Sequence, residues 1–171
     1  MLKKIKQIIF EKKIREYISE RNVSEKKSKV KKIGFLVDED AYQNLDALYS
    51  FSETIGLQRK DIKIFSFKKF EKSAPTLLQN TVSQKDFTLT AKLKNGIGSD
   101  FLNIEFDLLV GYYQGRHLYL DLMVVQSKAL FKVGLLDTDE RLFDLQLALK
   151  PKDEDVFVIE MLKYLNALQK I

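Results

Sequence analysis

Four short apolar runs stand out along the chain: Ile33-Gly34-Phe35-Leu36-Val37-Asp38, Ile62-Lys63-Ile64-Phe65-Ser66-Phe67, Phe106-Asp107-Leu108-Leu109-Val110-Gly111 and Phe131-Lys132-Val133-Gly134-Leu135-Leu136. Near-continuous hydrophobicity over a few residues marks strands buried on both faces of a parallel sheet. Helical patterns separate the runs, so the chain reads as βαβ units. The expected fold is a three-layer, Rossmann-like α/β domain with a mainly parallel sheet of about five strands.

The segments between the runs refine this picture. After the first run, Asp38-Glu39-Asp40 offers an N-cap and acidic residues for a helix through Ile55, with Gly56 as its stop. From Glu71 to Asn103 the pattern weakens, with Pro75, an alternating stretch Phe87–Leu93 and a glycine turn at Gly96-Ile97-Gly98. A featureless loop of that length is rare in a compact domain, so a short helix and an irregular strand or hairpin are expected there. His117–Leu130 is apolar on nearly all sides and requires cover on two faces. The sheet supplies one cover, and either the N-terminal helix or a second subunit supplies the other. In Leu142–Leu149, Phe143, Leu145, Leu147 and Leu149 alternate with Asp144, Gln146 and Ala148. One solvated face and a short connection predict an antiparallel edge strand. Pro151 and Asp153-Glu154-Asp155 then open a final helix carrying Val158, Leu162, Leu165 and Leu168.

Ahead of the first run, Met1–Arg21 is a helix whose apolar positions fall into two groups. Leu2, Ile5 and Ile9 centre on one side, and Phe10, Ile14, Tyr17 and Ile18 on another, so the stripe drifts around the axis. The polar stretch Asn22–Lys32 reads as a linker or a frayed helix end. The chain therefore divides into a basic helix and linker, 1–31, and a single α/β domain, 32–171, a size that suits one hydrophobic core.

Composition narrows the function classes. With 45% hydrophobic and 31% charged residues the chain is globular, and the absence of cysteine excludes disulfides, thiolate metal sites and a cysteine nucleophile. No apolar stretch reaches the ~18 residues of a membrane span, and no secretory leader is evident. A cytoplasmic protein is expected. The net charge of +5 is uneven: residues 1–32 hold 12 Lys and Arg against 4 Glu, and the remainder 17 against 20 acids. Such an arm suits a partner, an anionic membrane surface or nucleic acid phosphates. The acidic remainder and the lack of a ribonucleoprotein-type aromatic strand or G-x-x-G clamp place nucleic acid last.

In open parallel sheets, ligands sit beyond the carboxyl ends of the strands, where the strand order reverses. That rule gathers Asp38, Tyr112, Arg116 and Asp137 as candidate contacts for a nucleotide or other small anionic ligand. Gly111-Tyr112-Tyr113-Gln114-Gly115-Arg116 combines a glycine-permitted turn, two aromatic rings and a guanidinium, while each aspartate also suits an ordinary cap or turn. Asp38, Asp40, Asp137 and Asp139 could group around Mg²⁺ only if their loops converge, and no metal site is assigned. His117, the only histidine, lacks the partners of a zinc site, and neither a G-x-S-x-G elbow, a dinucleotide fingerprint nor a phosphate-cradling G-x-x-x-x-G-K-S/T is present. No catalytic residue and no cofactor follow from the residues.

The strings Ile33-Gly34-Phe35-Leu36-Val37-Asp38, Phe106-Asp107-Leu108-Leu109-Val110, Ser127-Lys128-Ala129 with Phe131-Lys132-Val133-Gly134, and Tyr164-Leu165 together resemble a bacterial family known as domain of unknown function 6913. The resemblance implies an α/β fold and transfers no active-site residue. The residues favour a non-catalytic binding or interaction module whose basic helix and apolar segment 117–130 contact a partner or a second copy. The alternatives are an enzyme or sensor for a small anion at the carboxyl edge, and peripheral attachment to an anionic membrane.

Overall fold

Strands β1 (Ile33–Asp38), β2 (Ile62–Phe67), β3 (Thr81–Val82), β4 (Leu108–Tyr112), β5 (Lys132–Gly134) and β6 (Leu145–Gln146) form one six-stranded sheet in the order β3-β2-β1-β4-β5-β6. The computed structural model describes residues 1–21, 28–72 and 80–171. Every pair of neighbouring strands is parallel. The strand order reverses between β1 and β4, which makes their carboxyl ends the switch point of a doubly wound sheet.

The central strands are buried on both faces, and side-chain alternation sorts them into two cores. Ile33, Phe35 and Val37 of β1 pack with Leu108 and Val110 of β4 beneath helices α2 (Leu45–Thr54) and α5 (Glu154–Ala167). Leu36, Phe65, Phe67 and Leu109 point the other way, into a core shared with helices α3 (Gly96–Asn103) and α4 (Leu118–Gln126). Helix α1 (Leu2–Glu20) lies outside α4 and completes that side. Phe10 of α1 is wholly buried, with its ring 5.5 Å from Tyr119 and 6.1 Å from Phe87. Leu120, Leu122, Met123 and Val124 of α4 are likewise fully buried. An apolar helix with the sheet on one side and α1 on the other has both of its covers within one chain.

The edge strand departs from expectation. β6 runs parallel to β5, not antiparallel, and β3 at the opposite edge brings the sheet to six strands. Parallel pairing ordinarily needs a crossover of about a dozen residues, yet Leu135–Asp144 is shorter. The crossover can be brief because β5 and β6 are brief, and because it lies directly on the sheet. Phe143 rests over Gly111 and Gly134, which are register partners on β4 and β5. A Cβ at Gly134 would stand 2.6 Å from the Phe143 ring, and one at Gly111 would stand 2.9 Å from it. Two bare backbone positions thus let the chain return across the sheet.

Local corrections follow similar physics. Helix α2 starts at Leu45 behind Asn44, because Asp38-Glu39-Asp40 is spent in a turn where Asp38 Oδ1 accepts the Asp40 N–H at 3.1 Å. Gly96-Ile97-Gly98 opens α3 instead of forming a free turn: the Asn95 side chain caps the helix by accepting the Gly98 N–H at 2.9 Å. Phe87–Leu93 is a loop closed by a single antiparallel bridge between its ends, with Ala91 at φ 61°. Segment 117–130 is helical only to Gln126. Residues 22–27 of the expected linker, and 73–79 of the weakly patterned segment including Pro75, lie outside the described residues.

Candidate functional site

The carboxyl rim of the sheet is built by the segments that follow β1, β2, β4 and β5. After β1, Glu39 is buried, and its carboxylate accepts the Ser66 hydroxyl at 2.9 Å and stands 3.5 Å from Lys68 Nζ. Ser66 in turn lies 2.9 Å from the Thr81 hydroxyl, so the network ties β1, β2 and β3 together at this end. A buried carboxylate survives when it is paired and hydrogen-bonded, as here.

After β4, Gly115 adopts φ +72° and turns the chain into α4. His117 caps that helix, its Nδ1 accepting the Leu120 N–H at 3.1 Å, so the proton of the neutral ring sits on Nε2. Its ring packs edge-on against Phe67 at 4.6 Å. Burial pushes the His117 pKa down, against the opposing pull of the Asp38 carboxylate. Burial equally pushes Asp38 up, with His117 pulling it back. The two groups thus face each other electrostatically across the switch point between β1 and β4.

One turn into α4 stands Asp121, a buried carboxylate that accepts the Tyr113 hydroxyl at 2.7 Å and the His117 N–H at 3.1 Å. Burial outweighs these bonds and raises its pKa to about 6. The same burial, together with the Asp121 charge, holds the Tyr113 hydroxyl well above its ordinary value. His117 and Asp121 thus satisfy the Leu120 and His117 N–H groups at the start of α4.

After β5, Asp139 caps the short turn Glu140–Leu142 and is gripped by Arg141, whose Nε and terminal nitrogen donate at 2.8 and 2.6 Å. Arg116 approaches the same carboxylate at 4.0 Å. The Arg141 hydrogen bonds hold Asp139 below the usual carboxylate range. Beside this cluster runs a cleft of about 430 Å³ between α1 and the start of α4. Lys3, Lys6, Arg15, Arg116 and Arg141 line it, with Glu11, Asp121 and Asp139 as its acids. A neighbouring cleft of about 520 Å³ shares Arg116, Asp139 and Arg141 and adds Asp137, Thr138 and Gln146.

The four residues singled out from the sequence are divided by this geometry. Arg116 and Asp137 line the second cleft together, and Asp137 adopts φ 61° at its turn. Asp38 is half-buried at the switch point and lines neither cleft. Tyr112 faces the α2 and α5 layer, where it is wholly buried, 4.7 Å from the Tyr42 ring and 5.0 Å from Phe157. Its hydroxyl donates to the Pro151 carbonyl at 2.7 Å. With Tyr113 also buried, the loop exposes neither aromatic face that stacking on a base would require. Among the described residues no three His, Cys, Asp or Glu side chains come close enough to share a metal ion, so the four aspartates do not converge.

A family model spans residues 6–168. The chain belongs to the family of unknown function DUF6913. That span takes in Lys6, Arg15, Arg116, Asp121 and Arg141 of the cleft and leaves out Lys3. No curated protein matches the chain, and no solved structure does.

Sequence reasoning missed Asp121, Arg141 and the cleft-facing cations of α1. Asp121 did leave a signal, as a lone acid in the otherwise apolar run Leu118–Val125. The α1 cations left none, because a lysine on a basic helix looks the same whether it faces solvent or a cleft.

Proposed function

We propose that the protein is a cytoplasmic, non-catalytic binding module that takes a small anionic ligand in the cleft between α1 and α4. The observation that carries this reading is the convergence of Lys3, Lys6, Arg15, Arg116 and Arg141 on one cleft at the carboxyl rim. Three acids oppose the five cations, and one of them, Asp121, is raised to about 6 and so sheds its charge on mild acidification. Guanidinium groups suit phosphate and carboxylate oxygens because they donate in a planar fork. Binding is favoured over turnover because the reactive side chains at this rim are engaged in structural bonds. Ser66 bonds Glu39, His117 Nδ1 caps α4, and Tyr113 bonds Asp121.

Thermal denaturation with a panel of nucleotides, sugar phosphates and inorganic phosphates tests the proposal. A ligand at ~100 times its dissociation constant adds about 2.7 kcal/mol, which for a domain of this size raises Tm by about 5–10 °C. The expected result is such a rise with at least one anion, abolished in the double variant Arg116→Ala, Arg141→Ala. No rise with any anion, or a rise that the double variant keeps, would refute it.

Contact with a partner or second copy through the basic helix and segment 117–130 has narrower support. α4 is enclosed by the sheet and α1, which leaves the outward face of α1 for such a role.

A further inference from the structure

Helix α1 carries two apolar stripes, only one of which the fold uses. Phe10, Ile14, Tyr17 and Ile18 pack into the core beside α4, and Ile9, grouped by its spacing with Leu2 and Ile5, packs against that core as well, so Ile8 takes its place in the outward stripe. Leu2, Ile5 and Ile8 are 71, 47 and 62% exposed. At 100° per residue the two groups lie about 160° apart, on nearly opposite sides of the helix. A surface helix ordinarily turns a polar face outward, so an apolar stripe directed away from the domain calls for an occupant.

The surroundings of that stripe specify its chemistry. Lys3, Lys4, Lys12 and Arg15 are exposed on the same helix, and Lys4 and Lys12 project from its outward half. The stripe belongs to the first turns of α1, and that end reaches the carboxyl rim, where Lys6 Nζ donates to the Gln84 carbonyl at 3.4 Å. Phe70 is fastened to the same residue, its N–H donating to Gln84 Oε1 at 2.9 Å. Phe70 is itself 42% exposed, with Lys85 Nζ 3.3 Å from its ring centre. Exposed apolar side chains set among lysines therefore recur on two separate segments of one rim.

We infer that this rim docks on an anionic membrane surface, with Leu2, Ile5 and Ile8 entering the headgroup boundary and the flanking lysines meeting acidic lipids. Apolar side chains framed by cations are the pattern that lies in a bilayer interface, where burial and attraction to anionic lipid act together. A second copy is the poorer occupant. A two-fold contact would set Lys4 and Lys12 of one protomer against the same lysines of the other. The docking inference does not depend on a ligand in the cleft, although it would turn Lys3 and Arg116 toward the headgroup layer.

Co-sedimentation of the full chain with vesicles tests it, using phosphatidylcholine alone and phosphatidylcholine mixed with phosphatidylserine, each in low and in high salt. The expected result is binding to the phosphatidylserine vesicles in low salt, with ~10-fold loss in high salt or on pure phosphatidylcholine. The triple variant Leu2→Ser, Ile5→Ser, Ile8→Ser should lose binding by ~10-fold or more while keeping its Tm, because the three side chains lie outside the core. Should the triple variant fail to fold, Lys4→Glu with Lys12→Glu gives the same reading through charge. Failure to bind in low salt, equal binding to neutral vesicles, or binding that survives both sets of substitutions overturns the inference. So does a dimer in light scattering that the triple variant dissolves, since the stripe would then belong to a second copy.

Discussion

The two faces of the sheet are built to different rules. Beneath α2 and α5 the core is aliphatic and aromatic, and its polar groups are closed off in pairs. Tyr112 donates to the Pro151 carbonyl, and Tyr42 donates to the Asn44 carbonyl and lies 2.8 Å from Glu154. Beneath α4 the core holds Asp121 near the carboxyl end and Lys132 near the amino end, each almost wholly buried, while on the α5 side the buried ammonium is Lys170, 4.7 Å from the centre of the Phe131 ring. Lys132 Nζ donates to the Val124 carbonyl at 2.7 Å, and burial lowers its pKa to about 8. The difference follows from the number of layers. One helical layer leaves no seam, whereas α1 laid over α4 creates one, and the charged cleft occupies it.

The largest effects should come from removing anchors, and they should distinguish what each anchor holds. Phe10→Ala deletes a fully buried ring, so about 3–5 kcal/mol should be lost in chemical denaturation. Phe157→Ala on the opposite face should cost a similar amount. Only the Phe10 variant should also destroy the cleft, which the anion-dependent rise in Tm would report. If both variants lose that rise equally, the seam is not what sets the faces apart.

Next in size is the pH dependence of Lys132. Its native pKa lies below the ordinary 10.5, so the unfolded chain holds this proton more tightly and stability should climb as pH rises from about 8 to 10.5. The climb amounts to about 3 kcal/mol at most. Tyrosines buried on both faces oppose it above pH 10, so the window from 8 to 10 is the cleanest. Lys132→Met should flatten that window and stabilise the protein near pH 7 by about 1–3 kcal/mol. Its slack acceptor, the Val124 carbonyl, keeps the Ser127 N–H at 3.3 Å.

Asp121 gives the mirror-image test. Its native pKa of about 6 lies above the ordinary 3.8, so the native state holds this proton more tightly. The stability it contributes is fully present below pH 4 and is lost as pH rises through 6, a change of about 2–3 kcal/mol. Asp121→Asn should remove that slope in urea denaturation measured from pH 4 to 7. A slope that survives would assign the effect to another carboxylate, with Asp38 the next to test because burial raises it too. The smallest effect belongs to α1's outward stripe: serine at Leu2, Ile5 or Ile8 should move stability by no more than about 0.5 kcal/mol.

Much of this architecture was legible from residue order. The runs at Ile33 and Ile62 became strands over the residues expected, and the all-round apolarity of Leu118–Val125 required the second cover that α1 supplies. Hydrophobic periodicity reports local burial, and burial is what these elements share. The candidate site was less legible. Asp38, Arg116 and Asp137 were placed at the correct rim by topology, whereas Tyr112 was a poor choice because consecutive strand residues point to opposite faces and its own face is the sealed one.

What the chain's order determined by itself is therefore the four central strands, their common direction, and the demand for two layers over α4. Only the tertiary structure decided which side of α1 is docked, why β6 turns back parallel over Gly111 and Gly134, and that cations more than 100 residues apart meet at one cleft. The physical reason is range. A pattern of apolar positions states that a side chain leaves water, but its partner is chosen by shape and register across the sheet, and those exist only once the chain has closed on itself.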